Sequence, residues 1–137
     1  MNSVSRLALA LAMAVSGYTH AYLYMHGYQH IPAIGPAFLV QASVFLALGA
    51  LIAVGAPHWI IAVAGLGSAG ALVAFVLSRT VGLFGFSEDG WDPAPYAVIS
   101  VLTELAAVAL AGVLLAKYAR RPVLATSTSR TRSLSQQ

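Results

Sequence analysis

One carboxylate stands inside the apolar run AVISVLTELAAVALAGVLLA, residues 97–116. A charged side chain at the centre of a bilayer costs about 2.5–3.5 kcal/mol on insertion scales, so Glu104 in such a run calls for a chemical reason. At helical spacing Ser100, Thr103, Glu104, Ala107 and Ala111 share one face, small and polar where the other faces are Val, Leu and Ile. The chemistry open to that face is proton binding, capture of a small ligand or ion, or a polar staple that fixes helix register.

Depth selects the partners. With a rise of 1.5 Å per residue, Glu104 lies about 12 Å below an outer boundary at Tyr96. His20 lies about 21 Å above an inner boundary at Arg6, hence roughly 9 Å below the outer edge of a 30 Å core. Gln41 falls about 7–8 Å below the same edge. His20, Gln41, Ser100 and Glu104 are therefore expected in one layer, contributed by three different segments. Arg79 ends another segment just above them, and its long stem allows the guanidinium to reach down. His20 or Arg79 is the expected counter-charge to Glu104.

Other histidines invite a metal reading. The stretch YTHAYLYMHGYQH, residues 18–30, holds three histidines and four tyrosines. His26 and His30 are four apart, which on a helix places two imidazoles on one face as Zn or Cu ligands. Gly27 lies between them and Pro32 follows, so a third ligand from Glu88, Asp89 or Asp92 would be required. The plainer reading is an interfacial belt with Tyr18, Tyr22, Tyr24 and Tyr28. Haem held by two histidines is disfavoured, because no two of them sit at one depth on facing segments. The sequence contains no cysteine, no nucleophile elbow, no phosphate-cradling glycine loop and no HExxH. It therefore points away from an enzyme, and no cofactor is expected.

The elements that position these residues follow from composition. Of 137 residues 59% are hydrophobic and 8% charged. Mean hydropathy is +0.81. Soluble domains carry about 25% charged residues, so most of this surface must face something other than water. Four apolar segments, at about 7–24, 38–56, 60–78 and 97–116, each approach the length that spans hydrocarbon. The expectation is an all-α, four-transmembrane-helix bundle, running up-down-up-down, with a longer outer loop between the third and fourth helices. Pro36 suits the first turn of the second helix, GAPHW makes a tight connection to the third, and Asp92-Pro93 reads as an N-cap opening the fourth. Gly65 with Ala69 and Gly70 with Ala74 are spaced for close helix contact, within the chain rather than between copies.

Five of the seven basic residues lie in the last 21 positions. Beside an apolar helix this marks a cytoplasmic flank, not a nucleic-acid face. Both termini are placed in the cytoplasm of a bacterial cell membrane, with residues 119–137 as a basic, disordered tail. The first segment is longer than a signal peptide needs, so a retained helix is expected. Expected partners are the lipid bilayer and a larger membrane complex or a second copy of the chain.

The loop SRTVGLFGFSEDGWDPAPY, residues 78–96, and the turn HGYQHIPAIGPAFLVQ, residues 26–41, resemble those of an uncharacterised family of small four-helix bacterial integral membrane proteins. That family carries R-T-x-G-L-x-G followed by an acidic W-[DE]-P loop. Arg79, Gly82, Gly85, Trp91, Asp92 and Glu104 match the pattern. The resemblance implies four helices and draws Trp91 and Asp92 into the outer candidates, but it brings no activity. The function expected is a non-enzymatic accessory or small-ligand or ion-binding protein centred on Glu104. The alternatives are a proton-coupled transporter using the same residue, and a metal or redox accessory using the outer histidines.

Overall fold

The computed structural model describes residues 3–120, which are helical apart from their connections. The order is α1 (Ser3–Met25), a short 3-10 turn (Tyr28–His30), α2 (Ile34–Ala53), α3 (His58–Thr80) and α4 (Tyr96–Ala119). The helices α2, α3 and α4 are each long and apolar enough to cross a membrane, while α1 falls outside that class. Of the tail expected over 119–137, residues 121–137 lie outside the described residues.

The first helix starts at Ser3 rather than near residue 7, and the second and fourth differ from the sequence expectation for physical reasons. The second helix runs about four residues earlier than 38–56. Its start at Ile34 leaves Pro36 within the first turn, where a missing N–H costs nothing. Its end is set by Gly55, whose φ of +100° is open to glycine and strained for other residues. There the N–H of Ala56 bonds the Leu51 carbonyl at 2.9 Å and that of Gly55 bonds Ile52 at 3.2 Å, which closes the helix. The fourth helix does not open at Asp92. It begins at Tyr96 without any side-chain cap, and the Asp92 carbonyl is taken instead by Arg79.

Small residues decide which helices meet. A Cβ on Gly17 of α1 would lie 3.1 Å from the Ala42 carbonyl of α2, and one on Gly49 of α2 would lie 3.0 Å from the Ala10 carbonyl of α1. These two backbones thus approach as closely as glycine allows, the packing mode that works where lipid offers no hydrophobic incentive. Gly65 plays the same part between α3 and Ala111 of α4, whereas Gly70 faces open space. In this all-helical arrangement α1 packs on α2 and α4, α3 packs on α4, and α2 scarcely touches α3.

The core fills the middle and one end with Leu9, Met13, Phe45, Ile52, Ile61 and Leu114. A smaller apolar cluster of Leu23, Tyr28 and Ile34, with Phe38, Leu83 and Phe86 against it, fills the end that carries the connections 26–33 and 81–95. Outward-facing Leu11, Leu66, Val73 and Leu102 are all more than half exposed. Apolar surface of that kind on several helices suits a hydrocarbon environment. At the opposite end Arg6 reaches across to α2 and donates to the carbonyls of Ile52 at 3.2 Å and Ala56 at 2.7 Å. It satisfies acceptors that the helix end leaves open, and its charge opposes the negative end of the α2 dipole.

Candidate functional site

The face predicted for α4 turns inward. Ser100, Glu104, Ala107 and Ala111 are buried, and Thr103 is half-buried with its hydroxyl donating to the Ile99 carbonyl. Glu104 is 2% exposed. Its Oε1 accepts from Ser16 Oγ of α1 at 3.1 Å, Gln41 Nε2 of α2 at 3.0 Å and Ser100 Oγ of its own helix at 2.9 Å. Three helices therefore converge on one oxygen atom.

His20 completes the group from α1. Its Nδ1 lies 2.9 Å from the Ser16 carbonyl, which can only accept, so that nitrogen carries a hydrogen. In the neutral ring Nε2 is then a lone pair, and it sits 3.9 Å from Glu104 Oε1. Two acceptors face each other at a distance too long for a hydrogen bond. The pair calls for a donor between them, either a shared proton or an N–H or O–H from a third molecule.

The space for such a donor is present. A cavity of about 80 Å³ runs from Glu104, His20, Gln41 and Ser100 up to the loops. Its walls are Phe38, Ala74, Phe75 and Phe86. No side-chain nitrogen or oxygen among the described residues is both fully buried and without a partner. The carboxylate's hydrogen bonds all fall on Oε1, and Glu104 lines this cavity.

The roof is a second polar group. Arg79, at the end of α3, pairs with Glu88 at 2.8 Å, donates to the Gly90 carbonyl at 3.0 Å and to the Asp92 carbonyl, and lies 4.5 Å over the Phe75 ring. Tyr28 donates its hydroxyl to Glu88 from the other side and stacks on Phe38 with ring centroids 4.8 Å apart. Phe38 in turn meets the His20 ring edge-on at 4.9 Å, so a continuous set of contacts links roof and floor.

Arg79 is thus not the counter-charge to Glu104. Its guanidinium is held in the roof because Glu88 and two loop carbonyls lie within reach there, which leaves His20 alone beside the carboxylate. Asp92 contributes a backbone carbonyl, and the Trp91 ring packs 5.7 Å from Phe75 while remaining half exposed. His26 and His30 do not share a helical face. α1 stops at Met25 and Gly27 turns the chain at φ +136°, leaving His26 stacked on Tyr22 and His30 exposed. Among the described residues no three His, Cys, Asp or Glu side chains form a group that could hold a metal ion.

Three contributors escaped the sequence reading. Ser16 was legible in principle, being four residues before His20 on the same helix face. Tyr28 reads as an interfacial tyrosine but is buried in the roof, and Glu88 weighs as a metal ligand but bridges Tyr28 and Arg79. No family model, curated protein or solved structure matches this chain. The site is therefore read from its own geometry.

The roof carries a testable pH dependence. Burial, followed by the hydrogen bond to Glu88 and that carboxylate's charge, pushes the Tyr28 phenol above its ordinary range. A group whose folded value is raised stabilises the fold fully below its unfolded value, about 10 for tyrosine, and loses that contribution as pH rises through the folded value. Tyr28→Phe is expected to lower stability by about 0.5–1.5 kcal/mol at neutral pH. The gap between wild type and variant should hold through pH 9 and close at strongly alkaline pH. Thermal midpoints of both proteins in detergent across that range check it.

Proposed function

We propose that this chain is a four-span integral membrane protein that binds a small polar ligand in the cavity above Glu104, without catalysing a reaction on it. Spanning by α1 as well as by α2, α3 and α4 is supported by the contacts that tie it in register with them. Arg6 joins the start of α1 to the end of α2, and Tyr22 stacks on Tyr96 at the other end of the bundle. With His58 of α3 stacked on Tyr118 of α4, the contacts fit an up-down-up-down course. The distribution of basic residues favours both termini on the cytoplasmic side of a bacterial plasma membrane, with the roof outward.

The observation that carries the reading is the division of labour on one carboxylate. Oε1 is anchored by three donors from three helices, while Glu104 and His20 both line a cavity. A staple that served register alone would have no use for a cavity beside the carboxylate. Any ligand or partner protein engaged by this chain would meet the roof first and the carboxylate second.

A hydrophobic carbodiimide tests it. Such reagents add to a carboxylic acid in an apolar, reachable site and leave a stable N-acylurea. Treatment of the full chain in detergent should give one adduct, on the peptide containing Glu104, that disappears in Glu104→Gln. Absence of an adduct on Glu104 at acidic pH, where the carboxyl is protonated, with carbodiimides as small as the dimethyl and diisopropyl reagents, defeats the reading, because it means that no small molecule reaches the carboxyl group.

A further inference from the structure

The chemistry of the cavity specifies its occupant. Its floor is rich in acceptors, the Glu104 carboxylate and the His20 Nε2, while Ser16 and Ser100 spend their hydroxyl hydrogens on Oε1 and Gln41 spends one of its two amide hydrogens there. Nε2 lies 3.9 Å from the nearer carboxylate oxygen, close enough for one ammonium group to donate to the imidazole with one N–H and to the carboxylate with another. A ligand that only accepts, such as an anion or a ketone, finds at this floor one remaining amide hydrogen of Gln41 with a carboxylate beside it.

Charge points the same way. No cationic side chain neutralises Glu104, since Arg79 is committed to Glu88 in the roof. The connection above the cavity carries Glu88, Asp89 and Asp92 against the single Arg79. Such a mouth concentrates cations and repels anions. The walls, by contrast, are apolar and aromatic, with Phe38, Phe86 and Tyr28 above the floor. A rigid alkali ion would want about six oxygen ligands, which this floor does not supply. An ammonium group with a short hydrocarbon tail satisfies floor and walls together, and aromatic faces favour it further.

Resting on the ligand-binding reading above, we propose that the cavity takes a small primary alkylammonium ion, its N–H groups shared between the Glu104 carboxylate and His20 Nε2 and its tail against Phe38 and Phe86. At 80 Å³ the cavity holds about five water-sized groups, which sets the tail at a few carbons.

The test is the thermal midpoint of the full chain in detergent titrated with propylammonium chloride. Three controls run at equal ionic strength: 1-propanol lacks the charge, tetramethylammonium lacks the N–H, and sodium lacks the tail. A midpoint that climbs with the logarithm of propylammonium concentration, and with none of the controls, supports the proposal. In Glu104→Gln the apparent affinity should fall at least about tenfold, the loss of a charge-assisted bond. His20→Phe, which keeps a ring against Phe38 and removes the acceptor, should weaken it as well. An equal response to sodium or to tetramethylammonium, or a response that persists in Glu104→Gln, overturns it. A carbodiimide adduct on Glu104 with no ammonium response overturns the ligand class and leaves the binding site standing, whereas no adduct removes both.

Discussion

Glu104→Gln is expected to leave the thermal midpoint unchanged or raised, while Glu104→Ala lowers stability by about 1–3 kcal/mol. The amide keeps the shape of the carboxylate. Its oxygen can accept from Ser16, Gln41 and Ser100 as Oε1 does, with the nitrogen in the place of Oε2. It also removes the charge that is expensive to hold at this depth. Alanine removes the common acceptor of three donors. The two serines have a retreat, because a helical hydroxyl can turn to the carbonyl four residues back, as Ser43 does to Leu39 in this chain. Gln41 has none so local, and its orphaned amide together with the enlarged cavity sets the magnitude. Melting curves of the two variants beside wild type check the order. Equal losses in both would mean that the negative charge itself holds the helices together.

Gly35→Ala is expected to cost about 1–3 kcal/mol and to open the roof. A Cβ at this position would stand 2.7 Å from the Tyr28 carbonyl oxygen and 2.8 Å from that of Gln29. Both obstacles are backbone, and the segment is tied down by Ile31 N–H to Tyr28 and Gly35 N–H to Ile31, at 3.0 and 2.9 Å. Relief must therefore come from moving the 3-10 turn away from α2, which draws Tyr28 off Glu88 and Phe38. Gly112→Ala is the control, since a Cβ there meets nothing within 4 Å. Hydrogen exchange over residues 26–35 should accelerate in Gly35→Ala and stay unchanged in Gly112→Ala.

The helices were legible because each is a long apolar run bounded by proline, glycine or charge. The site layer was legible because depth along a helix is a simple product of rise and residue number, which set His20, Gln41, Ser100 and Glu104 level before any contact was known. Depth does not decide pairing. Arg79 had the reach to meet Glu104, but three acceptors in the loop above compete for its guanidinium, and only the course of that loop shows them. Ser16 was hidden for a different reason. A hydroxyl in a run of Ala, Leu, Met and Val looks like a small residue tolerated in a helix, and its role depends on the angle at which α1 meets α4. Asp92-Pro93 has the chemistry of a helix start, yet the backbone carbonyl that matters there points at Arg79 instead. Periodicity and depth are local properties that a sequence displays, while the choice among competing acceptors is a property of the assembled loops.

The convergence on Glu104 Oε1 also fixes a timetable for the ribosome. Ser16 and Gln41 leave the exit tunnel 88 and 63 residues before the carboxylate they serve. The α1–α2 hairpin, with its glycine-to-backbone contacts, can be in place early, holding two unused donors. α4 arrives last with the group that lipid tolerates least, and its partners already stand side by side to receive it. A chain stalled before residue 104 would display donors with no acceptor. A chain whose first hairpin failed would display a carboxylate with two of its three donors missing.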